Sequence, residues 1–485
     1  MNAVPTTETT RPRRYGAREL IELVLDPGSF TSWDRPADPG EIDPEYAASL
    51  QRARARSGED ESVLTGRGAV DGRPVAVMVG EFSFLGGSIG RVAAQRLVDA
   101  VRRATAEGLP LLASTASGGT RMQEGTPAFV EMVSISRAIM EHRRAGLPYL
   151  VHLRHPTTGG VFASWGSLGH VTVAEPGALV GFLGPSVYEG LHGEPFPEGV
   201  QQSENLARHG VIDRVVATED LRTLVGLALG VLTDPAGEPR LERPQSPAQP
   251  PTDPWEAIQA TRRADRMGVR GLLEHAASGT LTLRGTKRGE LDDSILVALT
   301  RLDGMPCVVI GQDRSRQTPT SAMGPAALRQ AHRAMNLAEE MGLPVVTVID
   351  TPGAELSQEA EERAMAGEIA RCIGRLATLS VPTLAVVLGQ GCGGGALALM
   401  AADEVLALEN AWLSPLPPEG ASLIVHGDVE HAAEMARRQQ VGAGAMLEAG
   451  LVHGVVPEAS LSEEELARGL AAEVVARLGV RSGRG

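Results

Sequence analysis

Tyr149–Gly169, YLVHLRHPTTGGVFASWGSLG, decides the reading of this chain, because the chain contains the pattern twice. An apolar, β-rich run from Tyr149 to Leu153 leads into Gly159-Gly160 and then into small residues expected to form a helix. Later, Thr383 to Leu388 (TLAVVL) leads into GQGCGGGALALM, with glycines at Gly389, Gly391, Gly393, Gly394 and Gly395.

Spacing gives the register of the repeat. Leu109-Pro110 and Leu147-Pro148 each precede an apolar run, and Leu343-Pro344 and Val381-Pro382 do the same at an identical spacing. One constant offset carries each earlier pair onto its later counterpart. The same offset carries Gly90 onto Gly324 and Gly159-Gly160 onto Gly393-Gly394. Four matches at one offset indicate a tandem duplication.

A chain of 485 residues exceeds one core and suits two domains of roughly 200–250 residues. Aromatics are only 3% while glycines number 57, which favours closely packed backbones over a stacking surface for single-stranded nucleic acid. A net charge of −15 argues against binding nucleic acid or an anionic membrane. Lys287 is the only lysine, so a Schiff-base or P-loop lysine is all but excluded, and anionic ligands must be met by arginine or backbone N–H groups. Cys307, Cys372 and Cys392 are scattered and form neither a disulfide framework nor a zinc ribbon; no metal is expected. The N-terminus lacks the apolar core of a signal peptide and no run reaches ~20 apolar residues, so a cytoplasmic location is expected.

Residues 1–16 read as a disordered polar tail. An N-terminal domain over 17–233 follows, then a Pro-rich linker over 234–254 (DPAGEPRLERPQSPAQPPTDP), then a C-terminal domain over 255–485. In the first domain, strands are expected at 73–84, 109–115 and from 149, with helices at 92–105 and 127–144. In the second, strands are expected at 307–311, 345–349 and 383–388, with helices at 325–341 and 359–379. Strands alternating with helices give an α/β architecture in each half.

In both halves a strand stops at a Gly-rich turn and a helix is expected to start. N–H groups at such a turn lack an intrahelical acceptor, and glycine lets a ligand oxygen approach them without a Cβ in the way. That is the wiring of an oxyanion hole, one per half. Close packing alone also produces such turns, and the matched pair favours function. Neither turn fits a P-loop or a clean GxGxxG, and the chain has no GxSxG or HExxH. His152, His155 and His170 read as packing or surface residues, and Asp350 in DTPG as a turn residue. Arg121, in SGGTRM, has two open readings: contact with a ligand anion, or a structural ion pair. Cys392 has no visible base and reads as inert.

Several stretches together resemble a known family. FLGGSIGR (Phe84–Arg91), ASGGTRMQE (Ala116–Glu124), PTTGGVFAS (Pro156–Ser164) and AEPGALVGFLG (Ala174–Gly184) resemble the β subunit of acetyl-CoA carboxylase carboxyltransferase. Met323–Gly353, Ala360–Arg371, Gly389–Leu399 and SPLPPEGASLI (Ser414–Ile424) resemble its α subunit. The order is that of single-chain acyl-CoA carboxyltransferases, β then α.

The resemblance implies two tandem crotonase-like ββα-spiral domains, the N half holding acyl-CoA and the C half biotin. It implies an active site between the N half of one protomer and the C half of another, hence a homodimer or higher oligomer. Carried over by motif, Gly159 and Gly160 polarise the thioester carbonyl, and Gly393, Gly394, Gly395 and Ala396 the biotin ureido oxygen. Gly86, Gly87, Gly118, Gly119 and Arg121 belong to the acyl-CoA side; Gly353, Gly391 and Cys392 to the biotin side. The base comes from the cofactor, so a site without a side-chain base is expected. The implied reaction is carboxyl transfer from carboxybiotin to acetyl-CoA or a short acyl-CoA, giving malonyl-CoA; the alternatives are a biotin-independent thioester decarboxylase and a non-catalytic assembly paralogue. There is no Met-Lys-Met biotinylation site, so the biotin carrier and biotin carboxylase are expected on separate chains. Two departures stand out: residues 1–85 lack the β subunit's four-cysteine ribbon, and the α-subunit turn GEGGSGGA here reads GQGCGGGA.

Overall fold

The offset that relates the two halves of the sequence also relates their structures. The computed structural model describes residues 13–318 and 322–482. The first set of strands is β1 (Thr31–Ser32), β2 (Val63–Val70), β3 (Arg73–Gly80), β4 (Leu111–Ser117), β5 (Tyr149–Thr158), β6 (Val171–Ala174), β7 (Val180–Gly181) and β8 (Arg214–Val215). These form one sheet in the order β1-β2-β3-β4-β5-β6-β8, with β7 paired to the end of β5.

The second set is β9 (Ala277–Leu283), β10 (Ile295–Leu302), β11 (Met305–Gln312), β12 (Val345–Thr351), β13 (Thr383–Cys392), β14 (Glu404–Leu408), β15 (Trp412–Ser414) and β16 (Gly454–Val456). Their order is β9-β10-β11-β12-β13-β14-β16, with β15 on β13. In both sheets the first three strands are antiparallel and the rest parallel. Leu111 pairs with Tyr149 and Val345 with Thr383, and both ladders slip at the matching place, between Thr115 and Ser117 and between Ile349 and Thr351.

Sequence explains why these strands lie at the centre. β4 (LLASTAS) and β12 (VVTVIDT) are buried along their full length, as parallel strands covered on both faces must be. Each Leu, Ile or Val removed from water there contributes roughly 1.5–3 kcal/mol. The helix Pro325–Met341 begins with Pro at its first position and stops at Gly342, at φ 63°, which supplies the left-handed cap.

The chain forms two compact units, one of residues up to Arg208 with Ile212–Gly226, the other of His209–Val211 with Leu227 onward. Asp234–Asp253 holds no helix or strand, and the next helix begins at Pro254. This stretch is anchored within the second unit: Arg301 donates to Asp234 O at 2.7 Å, Arg240 N–H donates to Asp303 at 2.8 Å, and Arg243 pairs with Glu473 at 2.6 Å. Of the tail, residues 1–12 lie outside the described residues, whereas Arg13, Arg14 and Tyr15 are tied to Glu19, Glu175 and Glu219.

Three expectations need correction. Strands β2, β9 and β10 go unread in the sequence, although Asp71-Gly72 and Asp303-Gly304 signal the hairpins that carry β2 and β10. All four turn residues have positive φ (51°, 77°, 42° and 83°), as a two-residue hairpin of this hand needs. The helix expected over 359–379 is broken into Gln358–Glu362 and Met365–Leu376 by Ala364 at φ 63°. The Arg363 carbonyl there accepts from Arg329 at 2.7 Å, a bond no local pattern reveals. The helix expected after Gly159-Gly160 is a single turn, in which Ala163 N–H donates to Gly159 O before the Ser164 hydroxyl takes the Gly160 carbonyl. No helix among the described residues is long and apolar enough to cross a membrane.

Candidate active site

Each sheet delivers the ends of two neighbouring parallel strands to one place. In the first unit β4 ends in Ser117-Gly118-Gly119 and β5 in Thr158-Gly159-Gly160. A Cβ on Gly119 would stand 3.4 Å from Thr158 O and 3.6 Å from Gly160 N, so the two turns touch backbone to backbone. Gly119 has φ 112° and Gly159 has φ 61°, conformations that side-chain-bearing residues rarely adopt. The structure thus brings Gly118, Gly119, Gly159 and Gly160 together. Gly86 and Gly87 stand behind them: Gly86 O accepts the Gly118 N–H at 2.9 Å, and Gly87 packs on the backbone of Ala116.

The N–H groups divide into used and unused. Gly159 N–H donates to Gly181 O and Phe182 O at 3.2 and 3.0 Å, so it braces the turn and does not face a ligand. Gly160 and Val161 N–H donate to no backbone acceptor among the described residues, but only Gly160, half-buried, reaches the surface; Val161 is fully buried. Of the two glycines expected to donate, Gly159 N–H is thus taken within the protein and Gly160 N–H has no backbone partner among the described residues.

The second unit repeats the arrangement from Thr351-Pro352-Gly353 and Cys392-Gly393-Gly394. Gly353 has φ 141° and Gly393 has φ 64°. The helix that follows, Gly393–Leu397, is only five residues long, so it adds first-turn N–H groups without an appreciable macrodipole. A Cβ on Gly394 would press on Ile369 Cδ1 at 2.7 Å, and one on Gly395 on Met323 Cε at 2.8 Å. Gly391 lies on the Trp412 carbonyl, where a Cβ would approach to 2.8 Å.

Side chains support these turns without reaching into them. Of the two readings open for Arg121, the structure has the ion pair. Its guanidinium is 1% exposed, pairs with Glu61, and also donates to Ser88 O at 2.8 Å and to the Tyr46 hydroxyl at 3.2 Å. Arg121 shapes the loop from behind. Cys392 is buried in a cluster with Ile258, Trp412, Ala436 and Val441, and burial pushes its thiol up to about 11. Its Sγ lies near Gly353, where a Cβ would be 3.9 Å away.

Asp350 is fully buried. Burial raises its carboxyl above the usual range while Arg266, 3.4 Å away, works in the opposite direction. It accepts the Gln390 N–H at 3.0 Å and so fixes the end of β13.

Sequence reasoning missed an apolar collar around each hole. Met122 and Leu356, equivalent under the repeat, are 77% and 93% exposed; Phe182 and Leu416, which follow the short strands β7 and β15, are 71% and 39% exposed. Among the described residues there is no group of three or more His, Cys, Asp or Glu able to hold a metal. Neutral N–H donors with no carboxylate aimed among them suit a carbonyl or ureido oxygen that gains negative charge.

Comparison with known proteins agrees with this geometry. Residues 13–467 match the model of the carboxyl transferase domain family. The chain is 55% identical over 469 residues to a probable biotin-dependent acyl-coenzyme A carboxylase beta3 subunit of Mycobacterium tuberculosis, covering 95% of this chain and 94% of that one. It is 36% identical to the acetyl-coenzyme A carboxylase carboxyl transferase subunits beta/alpha of Saccharopolyspora erythraea, covering 96% and 84%. The crystal structure of transcarboxylase 12S, a hexamer with hydrolysed methylmalonyl-coenzyme A bound, superposes with a TM-score of 0.77 at 21% identity over 96% of this chain and 89% of that one. That likeness establishes the fold, a crotonase-like α/β domain in each unit. The match along nearly the whole chain, together with the repeated glycine turns, makes this protein a member of the carboxyl transferase family.

Proposed function

We propose that this protein is the carboxyltransferase component of a biotin-dependent acyl-CoA carboxylase. It moves a carboxyl group from biotin, carried on a separate chain, to the α carbon of a short acyl-CoA. Acetyl-CoA, giving malonyl-CoA, is the first substrate to test. The observation that carries this reading is the pair of half-buried glycine turns with one architecture and, among the described residues, no side-chain acid or base in either.

When bound, biotin supplies the carboxyl group and the basic site. The protein's part is to hold two oxygens. Gly160 N–H favours negative charge on the thioester oxygen, which acidifies the α carbon. The donors of the Gly393–Gly395 turn favour negative charge on the ureido oxygen. Losing one such donor typically costs about 3 kcal/mol of transition-state stabilisation. The Gly118-Gly119 and Gly353 turns keep side chains out of the approach to each hole. The exposed apolar collars favour burial against a second copy of the chain, so at least a dimer is proposed.

The test is incubation of the purified protein with malonyl-CoA, with and without free biotin, following acetyl-CoA release. Release that depends on biotin is expected. Equal release without biotin would make the protein a thioester decarboxylase, and no release with malonyl- or methylmalonyl-CoA would leave it an assembly subunit.

A further inference from the structure

The two glycine turns are built alike but braced differently. Gln312, the last residue of β11, is wholly buried. Its carbonyl oxygen accepts the Asp350 N–H at 3.0 Å, and its amide donates to Gly395 O at 2.8 Å. One partner can only donate and the other can only accept, so the orientation of the carboxamide is fixed. A single side chain therefore ties the end of β12 to the glycine turn.

Gly395 O needs that tie. The five-residue helix ends before Gly395 O can receive an intrahelical bond, because Leu399 N–H donates to Ala396 O at 3.2 Å instead. A buried carbonyl without a partner is destabilising, and a single helical turn has little stability of its own to offset it. Gln312 caps that carbonyl and so closes the turn. In the first unit the last residue of β3 is Gly80, which has no side chain to offer, and the corresponding segment is an irregular turn.

We infer that Gln312 is a positioning residue for the second glycine turn: by capping Gly395 O it fixes the Gly395–Ala396 peptide, closes the single helical turn and so holds the turn's first N–H groups toward the ureido oxygen. This rests on the carboxyltransferase reading for the identity of that oxygen. Gln312 touches no substrate, and its effect passes through the peptide it caps.

The test compares wild type with Gln312→Met and Gln312→Glu. Methionine keeps the volume and loses both bonds. Glutamate keeps an acceptor for Asp350 N–H; its buried carboxyl, when protonated, can still donate to Gly395 O, and when ionised cannot, so assay from neutral to alkaline pH isolates the cap, and this variant carries the test alone should the methionine variant not fold. In biotin-dependent release of acetyl-CoA from malonyl-CoA, kcat is expected to fall about tenfold or more with KM for malonyl-CoA unchanged. By hydrogen exchange, amides of 393–397 are expected to exchange faster, with those of β13 little altered. Wild-type kcat together with wild-type exchange in both variants would overturn the inference. A biotin-independent wild type would instead overturn the carboxyltransferase reading, and the exchange at 393–397 would still report whether Gln312 holds the turn.

Discussion

Gly119 and Gly353, equivalent positions of the repeat, each donate their N–H to a hydroxyl two residues back, Gly119 to Ser117 at 3.0 Å and Gly353 to Thr351 at 3.2 Å. Both lie at positive φ, 112° and 141°. Duplication has thus preserved a strained backbone conformation and the side-chain oxygen that supports it, beside each hole. At Gly353 space is not the constraint, since a Cβ there would meet only Cys392 Sγ, at 3.9 Å. Gly353→Ala should therefore cost about 1–3 kcal/mol through φ alone, measured by urea denaturation. A variant as stable as wild type would show that the turn can relax.

At Gly160 the constraint is space. A Cβ would stand 3.1 Å from Thr120 Oγ1 and 3.3 Å from Met132 Cγ, and valine adds two further methyls. Gly160→Val should lower biotin-dependent turnover by about a hundredfold or more, because shifting the turn moves its N–H donors. Thermal melting should still show a folded protein. Substantial turnover in this variant would remove Gly160 from the first hole.

Much of this can be read in the chain, and the gaps have physical causes. The duplication, the central strands and the position of both turns are visible because buried parallel strands are continuous apolar runs bounded by Leu-Pro and Gly. The break at Ala364 is not, because it depends on Arg329 reaching the Arg363 carbonyl from 34 residues away. The use of the Gly159 N–H within the protein is equally hidden, since Gly181 O and Phe182 O take it from beyond the neighbouring loop. For Arg121, its partner Glu61 lies 60 residues earlier, just before β2, and no local pattern links the two.

Arg121 and Glu61 form a buried pair, 1% and 3% exposed. Removing one member leaves the other charge uncompensated, which typically costs about 3–5 kcal/mol. Arg121→Met should destabilise the first unit by that order, and pairing it with Glu61→Gln should recover part of the loss. Calorimetry of the two variants decides it. A single variant that melts like wild type would return Arg121 to the reading in which its charge serves a ligand.

Cys392 sits beside the second hole, yet its thiol is buried and pushed up to about 11, so little thiolate exists near neutral pH. Iodoacetamide should leave activity intact near neutral pH over times that fully label a denatured sample. Cys392→Ser should retain turnover. Rapid inactivation protected by biotin would assign the thiol a place in the site.

Acid should weaken the first unit through two buried histidines. Burial pushes His142 down to about 4, opposed by the Pro148 carbonyl, and pushes His152 down to about 3, with Arg154 adding to the effect. Above the ordinary histidine value of 6.5 both are neutral whether folded or unfolded, and neither affects stability. As pH falls below that value the unfolded chain takes up protons that the folded chain refuses, so stability drops. The loss continues until pH passes the folded values, and for His142 it reaches on the order of 3 kcal/mol. Melting temperature should therefore decline between about pH 6.5 and about pH 4.5, in the range where most carboxylates are still ionised. His142→Gln, whose amide can still meet Thr105 and Pro148, should flatten that decline. An unchanged slope in this variant would mean that His142 is protonated in the folded protein.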